Sequence, residues 1–447
     1  MIRPLGTPVN RRDYVAVGTL IALVSVIFVP LFNHLVRGHA GDVSHTDHPA
    51  HNAFAADMRQ RRIISMPHPL YHFTVIGVQI VKECFQPGLP TEPDAHSAIE
   101  LAAKNMQGPA LWPINERYAS ASVFTLVLFQ IFLALVVYAQ LRNVLGSESW
   151  LGVGACTVLA ISLLFAAPIA LYLTQDHQFY FGYVGINVWH SPTVLAAKPW
   201  ALISFALVAA MLTDRSKAPL PAGQTRGAKG FLIGVVVVIG ALAKPSFLIA
   251  LIPAAIAMGV FQQLWSTSKV QWKWLLLCLV LPAAVVLMWQ ARIYGQLTGG
   301  SHAKFAPLAT LSGMSNHLGV KFLLSILFPV VGWLVTFAAG QRRPTLNLAW
   351  LTFIFGAGLT YFVTESGRTS HGNFLWSAQL ALFVLFVQTL SCVITTTRLR
   401  WSGGSSRPLV IPLAMLSGVI FLAHVGYGIA YYAHLMTRPN TTMLLYQ

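Results

Sequence analysis

Acidic side chains are scarce in this sequence. Only 13 Asp and Glu stand against 29 Lys and Arg in 447 residues, and charged residues of all kinds make up 9% of the chain. Soluble domains hold roughly 25% charged residues, so a water-exposed globular chain is excluded. Cysteine is equally sparse. Of the four, Cys156, Cys278 and Cys392 fall in apolar runs and Cys84 stands alone, which leaves no disulfide framework and no CxxC zinc site. No Walker loop and no GxGxxG opening a helix is present, and no stretch is large enough for a soluble nucleotide-binding domain. The net charge of +16 does not point to nucleic acid, because no basic tract is interleaved with aromatics for base stacking.

What the chain does have is apolar length. Hydrophobic residues are 55% of it and the mean hydropathy is +0.64. A helix needs about 20 residues to cross the hydrocarbon core. Spans are expected near 14–33, 119–141, 150–174, 196–213, 230–243, 246–263, 274–292, 321–340, 346–364, 375–396 and 409–432. The stretch 230–263 is one apolar run broken by Lys244-Pro245. Proline ends or kinks a helix and lysine is costly at mid-bilayer, so two short helices meeting at the far interface are expected there. The fold class is therefore all-α: a polytopic transmembrane bundle of about eleven spans, residues 1–447 forming a single integral membrane domain. The first span is longer than a signal-peptide core and lacks a small-residue cleavage site after it, so it is read as retained.

The sizeable hydrophilic part is the first loop, 34–118. Within it, Pro49 to Ile63 reads as an amphipathic helix lying on the membrane surface: Ala50, Phe54 and Met58 recur every fourth residue, and Arg59, Arg61 and Arg62 close it at the end that favours cations. A second helix is expected from Leu70 to Val81 and a short third near 95–105. Fifteen Lys and Arg lie at one set of span ends, against seven in the short loops and tail opposite: Lys198, Lys244, Arg292, Lys304, Lys321, Arg368 and Arg438. Excess cations mark the cytoplasmic side. The expected localisation is a bacterial inner membrane, with the N-terminus cytoplasmic and loop 34–118 and the C-terminus periplasmic.

Four polar constellations fall on that outer side. The first is Asp42, His45, Asp47, His48, His51 and Asp57. Asp47 and His51, four apart, share a helix face, and a carboxylate beside an imidazole is a general-base arrangement. Asp and His are also metal ligands, so a divalent metal is a second reading, without HExxH-like spacing behind it. A solvated His-rich loop is the third. The next constellation runs from Thr364 to Asn373 and holds Glu365, Arg368 and His371; Arg grips phosphate bidentately, though a Glu–Arg surface pair would explain it as well. Asp176-His177 with Asn187-Val188-Trp189-His190-Ser191-Pro192-Thr193 forms the third block, with His190, Asn187 and Thr193 placed to bond a polar ligand. The fourth is Lys244. It either offers a point charge to an anionic headgroup or snorkels to the surface.

These residues resemble a known class. A first span, a long outer loop with acids and an amphipathic helix, then many spans, is similar to the GT-C class of membrane glycosyltransferases. Asn187-Val-Trp-His-Ser-Pro-Thr, Ala243-Lys-Pro-Ser-Phe, Glu365-Ser-Gly-Arg and His371-Gly-Asn-Phe resemble blocks in bacterial multi-pass proteins of cell-surface polysaccharide type. The resemblance implies a lipid-linked sugar donor on a polyprenyl phosphate, a glycan, lipid or protein acceptor, and a catalytic acid in the first outer loop. The matching positions are Asp47 and Asp42, supported by His51 and Glu365. His48, His190, Lys244, Arg292, Arg368 and His371 would bind substrate, with membrane lipids as surroundings, no nucleic acid, and no cofactor beyond the metal alternative. The DxD of many such enzymes is missing, since Asp42 and Asp47 are five apart. A flippase of a lipid-linked glycan, a polysaccharide polymerase or ligase, and a structural partner in an envelope assembly are the competing classes. The topology has a direct check: reporter fusions at Gly223 and Gln447 are expected on opposite sides of the membrane, and the same side for both would break it.

Overall fold

The structure, a computed structural model, describes residues 10–38, 47–86, 92–105, 108–146, 149–172, 182–213, 226–265, 270–297, 302–313, 315–366, 372–401 and 408–437. The chain opens with α1 (Arg11–Arg37) and then a cap of shorter helices, α2 (His48–Arg61), α3 (Leu70–Phe85) and α4 (Ala95–Asn105). It re-enters the bundle through α5 (Trp112–Leu145), followed by α6 (Trp150–Phe165), α7 (Pro192–Thr213), α8 (Arg226–Ala243) and α9 (Ser246–Trp265). Next, α10 runs from Trp272–Leu275 through a π-helical turn at Leu276–Val280 into Leu281–Leu297. The one-turn α11 (Ala309–Ser312) leads to α12 (Leu318–Ala338), α13 (Pro344–Phe362), α14 (Leu375–Trp401) and α15 (Val410–Thr437).

Among the described residues nine helices are long and apolar enough to cross a membrane, and Trp150–Phe165 and Gly230–Ala243 are shorter apolar ones. An all-α multi-pass membrane bundle is the architecture that follows. The break at Lys244-Pro245 falls as the sequence requires, between α8 and α9. One expectation needs correction. The span placed at 150–174 ends as a helix at Phe165, because Pro168 lacks the N–H that would continue it. The helical bundle also carries one short ribbon: β1 (Ala303–Phe305) and β2 (Val363–Glu365) pair antiparallel, Ala303 facing Glu365.

The helix ends gather into two groups. At one end, Asp13 of α1 is buried against α5, where Tyr138 Oη donates to it at 3.0 Å and Arg142 at 2.7 Å. Asn10 and Asp13 form a reciprocal capping box there. The Arg398 guanidinium donates to the Val144 and Leu145 carbonyls at the same end. At the other end sit the cap helices. Asn52 of α2 donates to Asn115 of α5 at 2.7 Å, and Asn115 donates to the Val36 carbonyl of α1 at 2.7 Å. Arg59 of α2 grips Glu83 of α3 with two bonds of 2.9 and 2.5 Å, and Arg117 of α5 adds a third at 3.0 Å. Asp57 is buried and holds Ser65, with Arg61 and His96 nearby.

This changes the reading of α2. Its buried side holds His48, Asn52, Ala53, Ala55, Ala56, Asp57 and Met58, whereas Ala50 and Phe54 are only half-buried. The helix is clamped between α3, α4 and α5 instead of floating on a lipid surface. Polar pairing, which hydropathy does not weigh, decides which side faces in.

Among the described glycines, the tightest backbone approach is the one between the end of α6 and α15. At Gly428 an added Cβ would come 1.4 Å from the Phe165 carbonyl oxygen. Beside it, the Ala167 N–H donates to the His424 carbonyl at 3.0 Å and His424 Nδ1 donates to the Ala167 carbonyl at 2.6 Å. A methyl group at Gly428 would force these segments apart. Gly428→Ala is expected to cost about 1–3 kcal/mol, as overpacked cores do, seen as a lower unfolding temperature in detergent. Gly426, two residues away, has nothing within 4 Å, so Gly426→Ala should be neutral or stabilising by up to ~1 kcal/mol.

Candidate functional site

The cap meets the bundle along the segment 182–191, which leads into α7. Asn187 fixes that segment: its Nδ2 donates to the carbonyls of Leu163 and Ala166 at 3.0 and 2.8 Å, and its Oδ1 accepts from Lys198. It thereby caps α6, whose last carbonyls have no helical partner. Asn187 is therefore committed to structure and not to a ligand. The backbone beyond it receives α2. The Asp47 N–H donates to the His190 carbonyl at 3.3 Å, and His48 Nε2 lies 3.2 Å from the Trp189 carbonyl. A carbonyl can only accept, so Nε2 of His48 carries the proton. His48 is fully buried, and its Nε2 fastens the cap to the bundle.

Asp47 lies at the mouth of this junction, partly exposed, at the N-terminus of α2. It hydrogen-bonds the Ser191 side chain and faces the ammonium of Lys244. Lys244, 7% exposed, donates to Thr193 Oγ1 at 3.1 Å and sits 4.9 Å above the ring of Trp376. His190 packs on the same indole with ring centroids 6.2 Å apart. Four distant parts of the chain, the start of α2, the segment before α7, the α8–α9 break and the start of α14, thus converge on one place.

The electrostatics follow from burial. Loss of water pushes the Asp47 carboxyl up, against the pull of Lys244, His48 and Ser191. The same loss pushes the Lys244 ammonium down to about 8, with Asp47 acting to hold it up. Five imidazoles lie in this region and burial keeps them neutral: His48 and His72 are lowered to about 4, His190 to about 3, and His51 and His68 well below their ordinary value. A carboxylate tuned towards neutrality, beside one cation and several neutral imidazoles, can accept a proton and bind an anion side by side.

Glu365 forms an adjoining cluster. Tyr294 Oη donates to it at 2.6 Å and Asn373 Nδ2 at 2.7 Å, and Asn373 also reaches Tyr294 at 2.8 Å. The carboxylate is positioned by the β1–β2 ribbon and lines a small recess with Thr310, Thr360 and Thr364. Both oxygens being engaged, Glu365 ties the ribbon to the entry of α14, three residues before Trp376. That is a weaker position for a base than Asp47 has. Arg292, two residues before Tyr294, is exposed and makes no contact with either cluster among those described. Asp42, Arg368 and His371 lie outside the described residues, as does His45.

Sequence reasoning passed over His68, His72, Tyr294 and Trp376. A His-x-x-x-His pair, His68 and His72, in the loop that already held His48 and His51 was the available signal. Among the described residues no three His, Cys, Asp or Glu side chains form a group that could hold a metal ion.

The Asp47–Lys244 pairing makes a measurable demand. In pH-dependent amine labelling, the Lys244 midpoint is expected near 8. Removing the carboxylate by Asp47→Asn should shift it lower, since the neutral amine is then favoured further; an unmoved midpoint would separate the two groups. No family model, curated protein or solved structure matches this chain, so a functional reading rests on the geometry of this site.

Proposed function

We propose that this chain is a GT-C-like inverting glycosyltransferase, moving a sugar from a polyprenyl-phosphate donor to an acceptor hydroxyl at the periplasmic face. The observation behind the reading is the meeting of Asp47 and Lys244 where the first-loop helices join the bundle. Eleven crossings with a cytoplasmic N-terminus accompany it: the two shorter helices, α6 and α8, complete the alternation that puts the Arg142 and Arg398 ends together and the cap, Lys244 and Trp376 at the other end.

The Asp47 carboxylate takes the proton of the acceptor hydroxyl. The oxygen attacks the anomeric carbon, and the bond from that carbon to the phosphate oxygen breaks. The lipid phosphate leaves with the electron pair, and the Lys244 ammonium faces the charge that develops on it. One displacement inverts the anomeric centre. The raised Asp47 carboxyl suits this role, because a base works best when its pKa lies near the working pH. A flippase would instead call for ionisable groups along a path through the bundle. Among the described residues, Lys198 and Lys321 are buried, but each lies within the first two turns of its helix, at the cap end, so these two lysines trace no such path.

The test is transfer from a polyprenyl-phosphate sugar, alongside a separate measurement of donor binding. Asp47→Asn preserves shape and removes the base, so turnover should fall about 10²–10⁴-fold with donor binding retained. Lys244→Ala should weaken donor binding first. Asp42→Asn is the control for the competing acid, and normal turnover in both Asn variants would overturn the assignment of the base to this loop.

A further inference from the structure

His51 lies one turn after Asp47 on α2, its N–H donating to the Asp47 carbonyl at 3.0 Å. Its Nδ1 is 2.9 Å from Nε2 of His72 on α3, and Nδ1 of His72 is 3.2 Å from the carbonyl of His68. The carbonyl has no proton to give. A neutral His72 must therefore carry its single proton on Nδ1, which leaves a lone pair on Nε2. The 2.9 Å contact then requires His51 to be the donor, with its proton on Nδ1. One nitrogen of His51 remains: Nε2, unprotonated and able to accept a hydrogen bond.

The neutrality this deduction needs is supplied by burial, which holds His72 near 4 and His51 well below its ordinary value. The geometry is well braced. The His51 ring meets the edges of Phe54 and Tyr71 at 6.0 Å each, and Tyr71 is itself pinned to Ser122 of α5 at 2.6 Å. His51 is half-buried and so keeps an accessible part, whereas His72 is fully buried. The pair thus has an inner member that orients and an outer member that can meet a ligand.

We propose that His72 is a positioning residue that locks His51 in the Nδ1–H tautomer, so that His51 presents a second hydrogen-bond acceptor beside Asp47 to a hydroxyl-bearing ligand. A histidine side chain in water favours the opposite tautomer, so without His72 the same ring would show the ligand an N–H. Two acceptors one helical turn apart fit a donor-rich ligand such as a sugar. Only the identity of that ligand as the glycosyl acceptor rests on the function proposed above; the tautomer does not. His72 does not serve as a proton store, because burial resists its second proton.

The experiment is nitrogen-15 NMR of the full chain in lipid nanodiscs with labelled histidine, the His51 signals assigned by their loss in His51→Asn. The expected spectrum shows a protonated Nδ1 and a pyridine-like Nε2 on His51. His72→Phe should invert that pattern, and His72→Gln, whose amide oxygen can still accept from Nδ1–H, should restore it. A protonated Nε2 on His51 in the unsubstituted protein would overturn the proposal whatever the variants do. An unchanged tautomer in a folded His72→Phe protein would overturn it too. The transfer assay runs in parallel. The expected tautomer with no transfer from any polyprenyl-phosphate sugar sinks the glycosyltransferase reading alone, and normal transfer with the wrong tautomer sinks this one alone.

Discussion

A lysine largely withdrawn from water governs this end of the molecule. An unpaired ammonium in a low-dielectric interior is expensive, and Lys244 sits where two helices break, with a single carboxylate, Asp47, opposing it. That carboxylate belongs to a segment nearly 200 residues earlier. For it to arrive, α2 must dock on the 182–191 segment, which must in turn be pinned by Asn187 against the end of α6. Pairing the charge therefore sets the register between the cap and the bundle. The ring of Trp376 closes the other side, where its π face supplements the pairing. Burial works against the charged form of both groups, raising the Asp47 carboxyl and lowering the Lys244 ammonium.

The Asp13–Arg142 pair at the opposite end is a useful contrast. It is also buried, but it adds a tyrosine and a complete capping box, with donors meeting both carboxylate oxygens. Breaking such a pair commonly costs 3–5 kcal/mol. Both Asp13 oxygens are engaged there. A carboxylate thus meets a guanidinium and several further donors at one end, and an ammonium with fewer donors at the other, and the hydrogen bonding around each carboxylate sets the two apart.

Much of the bundle was legible in the sequence because crossing a membrane needs a run of about 20 apolar residues, which is a one-dimensional property. The break at Lys244-Pro245 was legible for a local reason, a missing N–H beside a charge. Asp47, His48, His190 and Lys244 stood out as polar residues beside apolar runs, and the structure brings them together. Their division of labour was not legible: His48 and Asn187 turn out to be fasteners, and only the carbonyls they meet reveal it. Arg292 looked equivalent to Lys244 by composition yet faces away. His72 reads in sequence as one polar letter in an apolar helix, and its importance depends on a 2.9 Å contact across the cap. The face of α2 was misread because Asn52 and Asp57, polar by type, are buried by pairing. The β1–β2 ribbon is three residues per strand, too short for any periodicity to show.

The length of α5 has one more consequence. Its 34 residues extend about 51 Å, well beyond a hydrocarbon core of ~30 Å. Tyr138 and Arg142 of this one rod hold Asp13 at one end, while Asn115, Arg117 and Tyr118 hold the cap at the other. No hinge interrupts it. The cap is thus a rigid outgrowth of the membrane helix, a lever whose short arm is the inner ion pair. A tilt of that rod by a thicker or thinner bilayer would move Asp47 against Lys244, making the lipid itself a mechanical input to the site.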